Sequence, residues 1–388
     1  MKTYIERQIS STILRANQYF PVICVTGPRQ SGKSTLIKHL FPTYDVYSME
    51  DIDVRLFATN DPRGFLSQYH NGMIIDEVQK TPELMSYIQG IVDEHPDYRF
   101  VLSGSSNFTL INSISQSLAG RTGMFDLLPM SLDEISDKVQ EQNTDEIIFN
   151  GLYPAVCSGE NIPELYYPSY IRTYLERDVR ELLKIKELMH FNTFLKLCAG
   201  RIGSIFNATE LAGEVGTSVN TIKSWLSVLE ASYVIQRIYP YANNLSKRLV
   251  KSPKIYFTDT GLACHLLGIE SANQLSHDRM RGHLFENLII MEFLKKRYNK
   301  GKDNNLMFYR DSNGNEIDLL QNEGGKISAY EIKSSMTYHP SFENALKKAE
   351  QLIKEEISEK KIIYNGTYEN QNATIKLINI KSLVIVKK

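Results

Sequence analysis

The stretch that decides the fold is Gly27-Pro28-Arg29-Gln30-Ser31-Gly32-Lys33-Ser34-Thr35, which matches the phosphate-loop pattern G-x-x-x-x-G-K-[ST]. An apolar run at residues 22–25 precedes it and a helical run at residues 35–40 follows, as the motif requires. The glycines allow backbone N–H groups to face a triphosphate at the positive end of that helix. We expect Lys33 to reach the β- and γ-phosphates and Ser34 to coordinate Mg²⁺, so residues 27–35 predict ATP and Mg²⁺ as cofactors.

A second motif, Gly72-Met73-Ile74-Ile75-Asp76-Glu77, is a short apolar strand that ends in two carboxylates. In phosphate-loop NTPases the aspartate of such a strand holds Mg²⁺, and we assign this role to Asp76. Glu77 is then placed as the catalytic residue that polarises the attacking water, which hydrolysis needs. The alternative is that the two acids cap a helix. Together with Lys33, the pair predicts ATP hydrolysis.

Composition limits the class of protein. The chain has 388 residues, enough for about two or three domains, and a net charge of −1, so any contact with nucleic acid must come from local basic patches. The four cysteines are isolated in sequence and predict reduced, buried thiols. The first residues lack an apolar signal core and no apolar run reaches the length of a membrane span. These features predict a cytoplasmic protein with no membrane partner.

Strand-like and helix-like segments alternate through residues 1–140, which predicts an α/β fold with a parallel sheet covered by helices. The candidate strands lie at residues 22–25, 44–47, 73–75, 99–102 and 123–128. Small polar residues at 103–107 follow the fourth of these, where a serine or asparagine would sense the γ-phosphate or position water, unless the segment is an ordinary polar turn. Arg121 is a candidate catalytic residue that would stabilise transition-state charge in cis or from a neighbouring subunit; the alternative is a surface arginine or a structural ion pair.

Four segments resemble a large group of prokaryotic AAA+-superfamily ATPases that carry a C-terminal domain of unknown function. They are residues 27–35, 74–77, 103–106 and 117–121. The similarity continues through Thr173-Tyr174-Leu175-Glu176-Arg177-Asp178, Lys254-Ile255-Tyr256-Phe257-Thr258-Asp259-Thr260-Gly261-Leu262 and Gly282-His283-Leu284-Phe285-Glu286-Asn287. The resemblance implies an AAA+-type sheet that binds ATP and Mg²⁺, and it leaves the biological task open.

Residues 208–216 and 218–230 predict two helices joined by a glycine turn, and residues 233–241 a following wing, which is similar to winged-helix domains. One interpretation places Asn220, Thr221, Lys223 and Ser224 against a DNA major groove. The second helix carries Lys223 as its one cation and one acid, Glu230, which predicts weak phosphate binding. Four basic residues nearby in the sequence add positive charge: Lys247, Arg248, Lys251 and Lys254. The alternative is a winged helix that packs or docks a protein.

The C-terminal region predicts a hairpin at Asn313-Gly314 and a further strand on which Glu331 and Lys333 share a face. With Asp318 on the preceding strand and Glu286 on a helix, three carboxylates and a lysine can converge. This set resembles the PD-(D/E)xK nuclease superfamily, with Ile317 in place of the leading proline. The resemblance implies that Asp318 and Glu331 bind Mg²⁺, that Lys333 assists the attacking water and that Glu286 completes the site. Charge alternation on a surface hairpin, or a nuclease fold without cleavage, remains an alternative.

The predicted domains are an AAA+-type ATPase domain at 1–140, a helical bridge or lid at 141–194, a winged helix-turn-helix at 195–242 and a nuclease-like α/β domain at 243–388. The predicted function is a Mg²⁺-dependent ATPase that couples nucleotide state to recognition of DNA or protein. An ATP-dependent DNA nuclease and a non-cleaving nucleotide-gated switch or scaffold are the alternatives. ATP is the predicted small-molecule partner, and DNA, a protein partner and self-association stay open.

Overall fold

The computed structural model describes residues 4–105, 114, 116–175, 188–242 and 252–384, without the side chains of residues 175 and 188. Several predicted positions lie outside the described residues, namely Ser106, Asn107, Glu176, Arg177, Asp178, Lys247, Arg248 and Lys251. The chain forms two compact units. The first contains residues 1–130, 231–233 and 296–303, and the second contains residues 131–230, 234–295 and 304–388.

Within the described residues, the first unit holds a five-stranded sheet, entirely parallel, in the order β2-β3-β4-β1-β5. Its strands are β1 (Val22–Thr26), β2 (Asp45–Ser48), β3 (Met73–Asp76), β4 (Phe100–Gly104) and β5 (Thr122–Asp126). Its helices include α1 (Ser10–Ala16), α2 (Lys33–Leu40), α3 (Ile52–Asn60), α4 (Pro62–Leu66) and α5 (Leu84–Glu94). The predicted parallel sheet with helices between its strands is confirmed.

Both faces of this sheet are buried, as is typical of a parallel sheet between helices. Side chains of β1 alternate between the faces: Val22 and Cys24 pack with α5 on one side, while Ile23 and Val25 pack with α1 and α2 on the other. The carboxyl ends of all strands therefore meet at one edge, where ligands bind in open α/β sheets.

The second unit contains a mixed sheet, which has seven strands among the described residues, in the order β12-β11-β10-β9-β8-β6-β7. Its strands are β6 (Ile235–Pro240), β7 (Lys254–Phe257), β8 (Leu306–Arg310), β9 (Glu316–Glu323), β10 (Lys326–Lys333), β11 (Ile357–Tyr364) and β12 (Lys376–Asn379). β8 and β9 form the predicted antiparallel hairpin. β6, predicted as part of a wing, pairs with β7 and also with β8, so one sheet continues across residue 242.

The second unit also contains helices, of which those before residue 235 precede the sheet in the chain and those after residue 257 connect its strands. They include α6 (Ser136–Glu141), α7 (Thr144–Asn150), α8 (Pro154–Cys157), α9 (Pro163–Tyr170), α10 (Leu188–Ala199), α11 (Ala208–Val215), α12 (Val219–Ala231), α13 (Thr260–Leu266), α14 (Ala272–His277), α15 (Arg281–Tyr298) and α16 (Asn344–Leu352). A π-helical turn, Ile171–Leu175, follows α9. Leu346 and Ala349 of α16 pack on Ile317 and Ala329, which closes one face of the sheet over β9 and β10.

Asp259 caps α13 and joins that helix to neighbouring segments. Its carboxylate accepts hydrogen bonds from the N–H of Leu262 at 2.9 Å, the N–H of Leu152 at 2.6 Å and the hydroxyl of Tyr167 at 2.7 Å. Gly261 lies against the same tyrosine: a Cβ atom added there would come within 2.3 Å of the Tyr167 hydroxyl oxygen and 2.5 Å of its ring. The Thr258–Gly261 string is therefore structural.

We expect Gly261→Ala to lower the free energy of unfolding by roughly 1–3 kcal/mol, because the added methyl group overpacks a buried contact. The matched control is Gly213→Ala in α11, where the added Cβ would meet nothing within 4 Å. That control should raise stability by about 0.5–1 kcal/mol through helix propensity. Urea denaturation measures both. Equal or greater stability of Gly261→Ala relative to Gly213→Ala would contradict the packing described for Tyr167.

Candidate functional site

The predicted phosphate loop connects β1 to α2 and contains backbone conformations that require glycine. Gly27 has a φ of 148°, and a Cβ atom there would lie 2.2 Å from the carbonyl oxygen of Leu127. Gly32 has a φ of 93° and precedes the first residue of α2. Left-handed backbone at both positions turns the chain sharply between strand and helix. The motif therefore folds locally as the sequence predicts.

The side chain of Lys33 folds back onto the phosphate loop. Its side chain is buried, and its Nζ donates hydrogen bonds to the carbonyl oxygens of Gly27 at 3.0 Å and Pro28 at 2.8 Å. Burial lowers the pKa of Lys33 to about 8, against the opposing pull of Glu77 and Asp76. The ammonium group is thus held at the position where this motif binds phosphate.

The loop and the acidic strand end are joined by direct hydrogen bonds. The Ser34 hydroxyl donates to one carboxylate oxygen of Asp76 at 2.7 Å, and the Ser103 hydroxyl donates to the other. Asp76 is only 7% exposed. A hydroxyl and a carboxylate are hard oxygen ligands of the kind that Mg²⁺ prefers, so the donor set fits this ion. Ser103 was predicted to meet the phosphate or water, and the structure places it on Asp76.

Glu77 follows Asp76 in a left-handed conformation, with a φ of 55°, and starts the 3₁₀ turn Val78–Lys80. It makes no side-chain capping bond to that turn, so the alternative role as a helix cap is not observed. Its carboxylate instead accepts hydrogen bonds from Gln79 and Ser105. The structure therefore brings Lys33, Ser34, Asp76 and Glu77 together, as the sequence predicts.

Arg121 lies elsewhere, and its predicted role in cis is corrected. It directly precedes β5, which runs parallel to β1 with Thr122 opposite Val22, whereas the phosphate loop follows the other end of β1. Its guanidinium donates to both carboxylate oxygens of Asp93, at 2.6 and 2.7 Å. Because the strand separates it from the loop, Arg121 cannot reach a phosphate bound in its own subunit. An action in trans stays a prediction.

In the second unit, Lys333 bridges two of the predicted carboxylates. Its Nζ lies 3.1 Å from Asp318 and 2.6 Å from Glu331, and Asp318 also accepts from the N–H of Ile332 at 2.8 Å. Burial, followed by the negative charge of Asp318, raises the pKa of Glu331 to about 8. Burial also acts to raise the pKa of Asp318, but Lys333 and Lys254 outweigh it and hold that pKa below its usual range.

Glu286 joins this group through residues that the sequence prediction missed. It accepts hydrogen bonds from the Tyr256 hydroxyl at 2.6 Å and from Lys254 Nζ at 3.3 Å, and Lys254 also contacts Glu316 at 2.7 Å. Burial raises the pKa of Glu286, against the pull of Lys254. Lys254 is 1% exposed, which corrects its assignment to a basic patch beside the helix-turn-helix. Lys254 and Tyr256 alternate on β7, a spacing that places both on one face.

A cavity of about 310 Å³ opens beside this carboxylate–lysine cluster (Glu286, Asp318, Glu331, Lys333 and Lys254) and is lined by Asp318, Glu331, Lys333 and Lys348 among others. Oε1 of Glu331 is buried there and makes no hydrogen bond with any described residue. No group of three or more His, Cys, Asp or Glu side chains in the described parts of the chain is arranged to hold a metal. Mg²⁺ is often held by one or two carboxylates together with water molecules, so the carboxylates of Asp318 and Glu331 fit this ion.

Helices α11 and α12 lie where the sequence predicts two helices joined by a turn, with Gly216 in a left-handed conformation between them. Ser218 accepts the N–H of Thr221 at 3.0 Å, as expected of a capping residue. Trp225 packs against Phe191 and Phe194 of α10, with ring centroids 5.4 and 5.5 Å apart. The predicted recognition residues Asn220, Lys223 and Ser224 are exposed, and Thr221 is half-buried.

Comparison with known families supports the first unit most clearly. Residues 19–136 match a family model described as an AAA domain. Residues 141–273 and 281–383 match two models, each described as a domain of unknown function (DUF8612 and DUF4143). The AAA match and the parallel five-stranded sheet of the described residues support an AAA-type phosphate-loop ATPase module. The two other models assign no activity.

Similar proteins are found in several organisms. An uncharacterized protein of Mycobacterium tuberculosis is 28% identical over 367 residues, which cover 93% of this chain and 80% of the relative. An uncharacterized protein of Haemophilus influenzae is 20% identical over 309 residues, covering 71% of this chain and 74% of the relative. The Walker-type ATPase of Pyrococcus abyssi aligns with a TM-score of 0.48 and 13% identity, over 68% of this chain and 96% of that structure.

Among the helices of the described residues, none combines the length and apolar character needed to cross a bilayer.

Nucleotide binding should weaken as the pH rises past about 8, where the pKa of Lys33 lies. Only the ammonium form attracts phosphates, and apparent affinity scales with the fraction of protein in that form. From about pH 7 to about pH 9 this fraction falls about tenfold, so the Kd for ADP should rise by roughly that factor. Titration with a fluorescent ADP analogue at constant ionic strength measures it.

The control for this pH dependence is Lys33→Arg, because a guanidinium stays protonated throughout that range. Its affinity, whatever the absolute value, should change little with pH. A wild-type affinity that stays constant or strengthens between these pH values would contradict the role given to the Lys33 ammonium.

Proposed function

We propose that the chain is a Mg²⁺-dependent ATPase in which Lys33 binds the β- and γ-phosphates, residues 27–35 enclose them, and Glu77 activates water. The observation that carries this proposal is the 2.7 Å hydrogen bond between Ser34 and Asp76. It joins the phosphate loop to the acidic strand end, with Glu77 as the next residue. When bound, Mg²⁺ would be held by Ser34 and Asp76 and would neutralise developing charge on the phosphates.

Each residue has a separate task in this reaction. The Lys33 ammonium orients the phosphates and offsets their charge, and the loop N–H groups do the same without titrating. Glu77 takes the proton of the attacking water, which a general base near the γ-phosphate must do. Ser103 fixes the orientation of Asp76 by its hydrogen bond to the second carboxylate oxygen.

Substitution should separate binding from turnover. Lys33→Ala is expected to weaken ATP binding by roughly 10- to 100-fold or more, because it removes charge-assisted hydrogen bonds. Glu77→Gln should bind ATP normally and lose about 10²- to 10⁴-fold in kcat, since it removes the general base. Lys38→Ala on the exposed side of α2 and Glu83→Gln before α5 are the matched controls. Phosphate release and nucleotide titration report the two effects, and unchanged turnover in both variants would refute the site.

A second candidate function is Mg²⁺-dependent cleavage of DNA at the carboxylate–lysine cluster. It is favoured by Glu331 Oε1, a buried carboxylate oxygen that lacks a described partner beside a cavity. Asp318 and Glu331 would hold the ion, Lys333 would assist the attacking water and Glu286 would complete the site. The ion would stabilise charge that develops on the scissile phosphate.

Incubation of plasmid with the chain, Mg²⁺ or Mn²⁺ and ATP tests this activity. Asp318→Asn and Lys333→Ala should each abolish cleavage, because the first removes a metal ligand and the second the neighbouring cation. Lys326→Ala, on the same strand but exposed to solvent, is the control and should cleave normally. Cleavage that persists in Lys333→Ala would exclude this lysine.

The wider role remains a proposal with two forms. In one, nucleotide state controls recognition of DNA or a protein through the helix-turn-helix, whose exposed face carries Lys223. In the other, the chain is a nucleotide-gated switch or scaffold that binds a protein or nucleic acid without cutting it. Gel shifts and cleavage assays with ATP or ADP, over single-stranded, duplex and branched DNA at stated salt, test both forms, since phosphate contacts make affinity salt-dependent. Binding that differs between ATP and ADP, without cleavage, would favour the switch or scaffold. A cytoplasmic location and self-association remain predictions.

A further inference from the structure

Gln79 lies two residues after Glu77, and its side chain folds back onto the Glu77 carboxylate. Its Nε2 donates a hydrogen bond to Oε2 of Glu77 at 2.5 Å and approaches the Ser105 hydroxyl at 3.4 Å. Ser105 also donates to Oε2 of Glu77, at 3.3 Å. The same carboxylate oxygen is therefore held by two donors, one from the turn after β3 and one from the end of the neighbouring strand β4.

The backbone after β3 is shaped so that this contact forms. Glu77 adopts a left-handed conformation that costs a non-glycine residue free energy and persists only where its surroundings hold it. The 3₁₀ turn that follows brings residue 79 beside residue 77, and it is anchored by Val78, whose side chain is fully buried. Lys80 closes the turn by donating its N–H to the Glu77 carbonyl oxygen at 3.1 Å.

The side-chain oxygen of Gln79, Oε1, is the other polar atom of this amide. It is buried and accepts no hydrogen bond from a described residue. A buried acceptor without a donor costs free energy, and a water molecule is the usual donor at such a place. The Gln79 amide thus donates to Glu77 and Ser105, while its buried acceptor oxygen has no donor among the described residues.

We propose that Gln79 is a positioning residue for ATP hydrolysis, and that it acts by holding Oε2 of Glu77 so that the other carboxylate oxygen faces the attacking water. This rests on the proposed function. As the water oxygen bonds to the γ-phosphorus, its proton passes to Glu77, and the bond between that phosphorus and the ADP oxygen breaks. ADP and inorganic phosphate are the products. The Glu77 carboxylate must be oriented before this step, because small misplacements of a reacting group cost much rate.

Gln79→Leu tests the proposal, with Gln89→Leu on α5 as a control that makes the same exchange away from the turn. We expect Gln79→Leu to lower kcat by about 10- to 100-fold while the Kd for ATP changes less than about twofold. Ser105→Ala should give a smaller loss, of about threefold, because its bond to Glu77 is longer. Gln89→Leu should keep wild-type kcat and Kd.

A double-mutant cycle separates positioning from general damage. If Gln79 acts through Glu77, then Gln79→Leu should lower turnover no further in a Glu77→Gln background. Equal loss in both backgrounds, a matching loss of ATP affinity, or a kcat that rises in Gln79→Leu would overturn the proposal. Wild-type turnover that depends on Glu77 but not on Gln79 would refute the role of Gln79 and leave the proposed ATPase standing. Absence of wild-type turnover would refute the proposed ATPase as well.

Discussion

The position of β4 between β1 and β3 determines how the nucleotide site is assembled. Val25 of β1 lies opposite Ser103 of β4, and Ile75 of β3 lies opposite Leu102. The loop after β1, the serines at the end of β4 and the acids at the end of β3 therefore meet at one edge. Because both faces of the sheet are buried, a shift of register by one residue would exchange the buried side chains of the two faces. Packing far from the site thus fixes Ser34, Asp76 and Glu77 together.

The second unit contains a network of buried charged side chains around Lys254. Lys254 is almost fully buried, and the free-energy cost of removing its charge from water is offset by Glu286 and Glu316. The Lys254 ammonium also lies 5.2 Å from the centroid of the Phe308 ring. Such a network holds its members in one geometry, because removing one partner leaves another charge buried without compensation. Asp318, Glu331 and Lys333 line the cavity beside this network.

The sequence predicted what depends on local patterns. The phosphate loop and the alternation of strands and helices in residues 1–140 follow from short-range patterns, so both could be predicted from neighbouring residues. Lys254 contacts Glu286 and Glu316, which follow it by 32 and 62 residues, and no local pattern encodes such contacts. The position of Arg121, by contrast, could have been predicted from the sequence. Once the sheet is taken as parallel, an arginine that precedes a strand must lie at the edge away from the loop, and strand direction was the signal that went unused.

The central claim is that the loop around Lys33 binds the phosphate chain of a nucleotide. Equilibrium dialysis of the full chain against radiolabelled ATP with Mg²⁺ tests it most directly. The account predicts saturable, stoichiometric binding that ADP displaces and adenosine does not, because the contacts are made to phosphates. Absence of saturable binding, or displacement by adenosine as effective as by ADP, would contradict it.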